Sequence, residues 1–171
     1  FSGAVSATTV TLTDTNGAIT IDGALTVTTL NTAAQGYSVV LNGGATVTSA
    51  VTFSNTGGVT LGNGAADVLL FNGGLTSTAS TTTIFGLVRS SDDALTLGAV
   101  TLAGSSTIDA TNNGGTTDGN DITLGAVSGA TFSLTVNAGS LTGSAISGTS
   151  VSNVGTLTIT QADSVSFSGA V

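Results

Sequence analysis

Short runs in which an aliphatic residue alternates with Thr or Ser recur from one end of the chain to the other. Val10-Thr11-Leu12-Thr13, Ala18-Ile19-Thr20-Ile21 and Ala24-Leu25-Thr26-Val27 come early. Ala45-Thr46-Val47-Thr48 and Gly58-Val59-Thr60-Leu61 follow, and Ala94-Leu95-Thr96-Leu97, Asp121-Ile122-Thr123-Leu124 and 155–160 lie further on. A period of two puts the aliphatic residues on one face of a strand and the hydroxyls on the other. The runs are about 4 to 8 residues long and end at Gly, Asn or Asp, which are turn residues. Of the helix formers Glu, Lys, Gln, Arg and Met only Gln35, Gln161 and Arg89 occur, and β-branched residues are everywhere, so the pattern predicts an all-β fold.

A second, longer period overlies the first. An apolar strand end, then Gly within a residue or two, then a short apolar run appears as Phe1-Ser2-Gly3-Ala4-Val5, Ile21-Asp22-Gly23-Ala24-Leu25, Leu41-Asn42-Gly43-Gly44-Ala45 and Leu61-Gly62-Asn63-Gly64-Ala65, at intervals of 20 residues. The same unit at Leu97, Leu124, Ile146 and Phe167 continues the series with looser spacing. Between Leu61 and Leu97 the register stays open, because Phe71-Asn72-Gly73-Gly74-Leu75 and Phe85-Gly86-Leu87-Val88 compete. A period near 20 with two or three short strands per turn predicts a parallel β-helix, or β-solenoid, of about eight coils of about 21 residues. Val, Leu, Ile, Ala and Phe face inward, and Gly and Asn take the corners, where positive φ is cheap. A sandwich does not call for a repeated corner motif, and a transmembrane barrel calls for aromatic girdles. Seven aromatic residues spread along the chain do not make girdles.

The chain closes on the five residues with which it opens, Phe167-Ser168-Gly169-Ala170-Val171. Residues 1–171 are therefore read as a single solenoid unit plus the start of the next, with 109–121 as an inserted polar loop. Neither end carries a polar or helical cap, so the expected partner is the protein itself, end to end, as tandem repeats or as a head-to-tail polymer.

Composition narrows the role. The chain has one cation, Arg89, against nine acidic residues, all Asp, for a net charge of −8. Nucleic acid is excluded as a partner, since phosphate contacts need Lys and Arg, and the same argument excludes anionic membrane surfaces. No apolar run approaches the ~18 residues of a membrane span. There is no His, Cys, Lys or Glu. Side chains that titrate near neutrality or attack as nucleophiles are thus nearly absent, and no enzymatic role is expected. Asp92 and Asp93 are the only adjacent carboxylates; at Ser90-Ser91-Asp92-Asp93 they read as solvated turn residues beside Arg89.

The segment from Asn112 to Asp121 offers hard oxygen ligands of the kind calcium takes. Asp118, Asn120 and Asp121 are the candidate ligands, with Asp109 a further one. The spacing departs from that of a Gly-Gly-x-Gly-x-Asp calcium repeat and occurs once, so the alternative is a plain Asn/Asp/Gly loop, with no cofactor required. Thr-x-Thr pairs at 11–13, 26–28 and 158–160 raise an ice-binding surface, but the pairs do not recur once per coil.

The stretch Gly23-Ala24-Leu25-Thr26-Val27, the Leu-Gly-Ala-Val units at Leu97 and Leu124, and Asn-containing corners such as Leu41-Asn42-Gly43-Gly44 resemble the repeat regions of large bacterial surface proteins of the filamentous-haemagglutinin and autotransporter-adhesin type. The resemblance covers nearly the whole chain, in composition and period rather than in a ligand-site signature. It implies a right-handed parallel β-helix, secreted to the cell surface or beyond. The expected function is an extracellular structural fibre or stalk built by end-to-end stacking. The alternatives are an adhesin shaft whose loops bind host or neighbouring-cell surface glycans and, more weakly, a polysaccharide-active enzyme.

Overall fold

A computed structural model describes residues 1–112, 114, 115 and 118–171. Its strands, in chain order, are β1 (Val5–Leu12), β2 (Ala18–Ile21), β3 (Leu25–Thr32), β4 (Ser38–Leu41), β5 (Ala45–Val47), β6 (Val51–Thr52), β7 (Val59–Leu61), β8 (Val68–Phe71) and β9 (Leu75–Ser77). They continue with β10 (Thr82–Ser90), β11 (Leu95–Leu97), β12 (Val100–Asp109), β13 (Ile122–Ser128), β14 (Leu134–Asn137), β15 (Ala145–Ser152), β16 (Leu157–Gln161) and β17 (Ser164–Phe167). Every pairing among them is parallel, between strands of successive coils, and the described residues contain no helix. The fold is a β-solenoid of about eight turns, as the double periodicity predicts.

Three ladders make three faces. On the first, Val5, Leu25, Ala45, Leu69, Val88, Ile108, Val136 and Ile159 stack in register. The second runs through Ile19, Val39, Val59, Thr82, Val100, Val127 and Val151. The third runs through Val51, Leu75, Leu95, Ile122, Ile146 and Val165. Away from the terminal coils, alternation along each strand turns these residues into one continuous interior: Leu41, Leu61, Leu69, Phe71, Ile84, Val88, Ile108, Ile122 and Val136 are all fully buried. Phe53 and Phe71 meet edge to face inside it, with centroids 6.2 Å apart.

The ladders close the gap that the sequence leaves between Leu61 and Leu97. Leu61 is followed by Ile84, while Leu97 follows Ser77. The expected single series of corner motifs is therefore two. Phe1, Ile21, Leu41 and Leu61 share one position on the second face. Leu97, Leu124, Gly148 and Phe167 share one position on the third, and Ile146 pairs two residues earlier. The five residues that open and close the chain thus form two different corners. The motif marks a corner of any kind, because every corner needs an inward strand end, a turn, and a new inward residue.

Close approach, more than positive φ, selects many of the corner glycines. A Cβ on Gly23 would fall 2.3 Å from the carbonyl carbon of Gly3, and one on Gly43 would fall 2.4 Å from the oxygen of Asp22. Neither residue has a positive φ. Successive corners stack backbone on backbone, with no room for a side chain between them.

Several buried polar groups meet partners inside. Tyr37, fully buried, donates from its hydroxyl to the Leu12 carbonyl at 2.8 Å and accepts from the Ala33 N–H at 3.0 Å. Burial pushes its phenol above the ordinary value. Asn55 donates to the carbonyls of Tyr37 and Gly58. Ser77 and Thr82, both fully buried, share a hydrogen bond of 2.7 Å. Thr82 occupies the ladder position that Val59 and Val100 hold in the neighbouring coils. Thr82→Val should orphan the Ser77 hydroxyl and cost about 1–3 kcal/mol. Adding Ser77→Ala should recover most of that loss in urea unfolding. Additive losses in the double-mutant cycle would mean that the two hydroxyls are not paired.

Candidate functional site

Coil length varies at the corners, and the variation shapes the surface. Along the first face the ladder residues are 20 apart from Leu25 to Ala45 but 24 apart from Ala45 to Leu69. The extra residues lie in the corner 62–67, where Asp67 Oδ2 accepts the N–H groups of Asn63 and Gly64, both at 2.8 Å. This corner stands beside the outer surface of the first face and walls a groove of about 270 Å³. Thr26, Thr46 and Leu70, consecutive outward positions of β3, β5 and β8, form its floor. Ala66, Asp67 and Val68 form its wall.

Arg89 is the next outward residue after Leu70 on the same ladder. Among the described residues it is the one member of its coil that lines the groove, so its side chain reaches back toward the preceding coil. Its Nε is buried and has no hydrogen-bond partner among the described residues. A buried donor in that state costs about 1–3 kcal/mol. On its other side the register partner is Asp109. That carboxylate is turned to its own loop, with Oδ1 accepting the Thr111 N–H at 2.7 Å and the Thr111 hydroxyl at 2.6 Å.

Of the calcium candidates, Asp109 lies at the end of β12 and Asp118, Asn120 and Asp121 lie just before β13, Asn120 and Asp121 lining one small groove. Asp109 is buried. Asp118 is exposed, and its carbonyl accepts the Leu141 N–H. Asn120 accepts the Asp121 N–H through Oδ1 and donates from Nδ2 to the Asp92 carbonyl at 3.3 Å. Asp121 Oδ1 accepts the Ala145 N–H at 2.9 Å. Among the described residues no three carboxylates come together as a metal site. Asn113, Thr116 and Thr117 of the same segment lie outside the described residues. The step from Ile108 to Val136, 28 residues, is the longest on the first face and contains this loop.

The Asp92–Asp93 corner is more enclosed than a solvated turn. Asp92 adopts a φ of 75° and buries Oδ1 with no partner among the described residues. Burial, and then the neighbouring Asp92 charge, raise the Asp93 carboxyl above its ordinary value. The backbone of Asp93 is pinned by the Ser90 hydroxyl, which accepts its N–H and donates to its carbonyl.

The three Thr-x-Thr pairs are not in register with one another: Thr11 pairs with Asn31, Thr26 with Thr46 and Thr158 with Thr135. What recurs is one outward hydroxyl per coil: Thr52, Thr76, Thr96 and Thr123 are in register on the third face, continued by Ser147 and Ser166. Unequal coil lengths hide this row in the sequence. The groove carries a sequence signal that the corner motif obscures, since the inward residues Leu41 and Ala45 flank a shorter corner than Leu61 and Leu69 do.

The chain matches no protein-family model, no curated protein and no solved structure.

Proposed function

We propose that this chain is a length of an extracellular structural fibre or stalk, extended by stacking coil on coil. The observation that carries the reading is the continuity of the ladders. Backbone hydrogen bonds run parallel to the long axis on all three faces, around one continuous and mostly aliphatic interior. Each rung offers the same edge as the rung before it, so a further rung, from the same chain or from another copy, extends the sheet without a new kind of contact. The exterior, rich in Thr, Ser and Asn with one cation and nine Asp in the whole chain, fits a location outside the cell. The reading assigns no catalysis, because the chain lacks His, Cys, Lys and Glu.

Electron microscopy of the native material tests this reading. Eight coils at about 4.8 Å predict an axial repeat of roughly 38 Å. Filaments with that repeat are the expected result. Discrete particles one unit long, at every concentration and salt tried, would overturn it.

A further inference from the structure

We propose that the groove beneath Arg89 binds an acidic sugar residue, a hexuronic acid, with the guanidinium on its carboxylate. This goes beyond the shaft reading and does not depend on it.

The first argument is charge. The chain has a single cation and a net charge of −8. That cation is not spent on its register neighbour, whose Oδ1 is held by Thr111. Instead it lines a groove, with Nε lacking a partner among the described residues. The planar fork of a guanidinium matches the two oxygens of a carboxylate. An incoming carboxylate gives the side chain an acceptor to turn toward.

The second argument is the rest of the lining. Thr26 and Thr46 stand on the floor one coil apart, and each hydroxyl can both donate and accept. Leu70 and Val68 offer apolar surface, Val68 being 38% exposed. A pyranose ring presents this same mixture, hydroxyls around its rim and C–H groups on its face. The volume, about 270 Å³, falls just short of the roughly 300–1,000 Å³ of drug-sized pockets, so the occupant is small. Asp67 also lines the groove, but its Oδ2 is turned to the N–H groups of Asn63 and Gly64.

Arg89 is the only arginine, so its Nε–Hε gives one unambiguous cross-peak in a ¹⁵N spectrum. Titrating the labelled protein with glucuronate should move that peak saturably, together with the amides of Thr26, Thr46, Val68 and Leu70. Glucose should move none of them, and acetate should bind at least about tenfold more weakly, for want of the ring contacts. Arg89→Gln should abolish the amide shifts while the rest of the spectrum shows an intact fold. Arg89→Lys, which keeps the charge but loses the fork, should weaken binding. No saturable shift with glucuronate overturns the site. Equal affinity for acetate and glucuronate overturns the sugar. Unchanged binding in Arg89→Gln overturns the role of the guanidinium.

Discussion

Leu61→Ala is expected to destabilise the protein by about 2–5 kcal/mol. Leu61 is fully buried and lies in register between Leu41 of the preceding coil and Ile84 of the following one. Removing its side chain leaves a void between two fixed rungs. The backbone ladder holds those rungs at about 4.8 Å, so the void cannot close by collapse of the coil. Thr60, the adjacent outward residue, is the control: Thr60→Ala should change stability by less than about 0.5 kcal/mol. Urea unfolding of the pair measures the difference. Equal, small losses at both positions would mean that Leu61 does not face the interior.

Gly62→Val is expected to be at least as damaging, for two separable reasons. Gly62 has a φ of 82°, a region that a β-branched side chain rarely enters. A Cβ there would also fall 2.1 Å from the carbonyl oxygen of Phe85 in the next coil. The backbone cannot yield without breaking the second-face ladder beside it. The two causes are told apart at other glycines. Gly17→Ala meets positive φ but open space and should cost about 1 kcal/mol. Gly3→Ala meets neither and should be close to neutral. Gly62→Val should lower stability by more than about 3 kcal/mol, from strain and clash together. A thermal midpoint for Gly62→Val no lower than that of Gly17→Ala would show that the coils are not packed as closely as the glycine positions require.

The residues explain how much of this was legible in the chain. Alternation at Leu25-Thr26-Val27 or Leu95-Thr96-Leu97 fixes both the strand and the inward face, since burial follows a period of two. The spacing from Ile21 to Leu41 to Leu61 fixes the coil. The misassigned series after Leu61 has a physical origin: all corners face the same steric demand, so one short motif cannot say which corner it forms. Thr82 defeats the pattern too, because a hydroxyl satisfied by Ser77 is as acceptable inside as the valines above and below it. The groove was hidden for a different reason. Arg89 is one outward residue among many, and only the lengthened corner at 62–67, in the coil before it, gives it something to overhang. Sites of this kind depend on neighbours about 20 residues away in sequence and 5 Å away in space.

The axial direction of the ladders decides how the molecule meets force. Among the described residues the strand ladders bond each coil to the coil before and the coil after. Tension applied through the chain therefore opens one rung at a time instead of shearing the whole sheet together. A coil of 20 residues that occupies about 4.8 Å of shaft releases about 66–72 Å of extended chain when it opens. Yielding by a single coil thus supplies more than tenfold its own length of slack, and the intact rungs remain loaded in series behind it. The coil that carries the 110–121 loop holds the longest reserve of chain. A solenoid bonded this way is expected to stretch in increments under a sudden pull and to rewind from the nearest intact rung once the load is released.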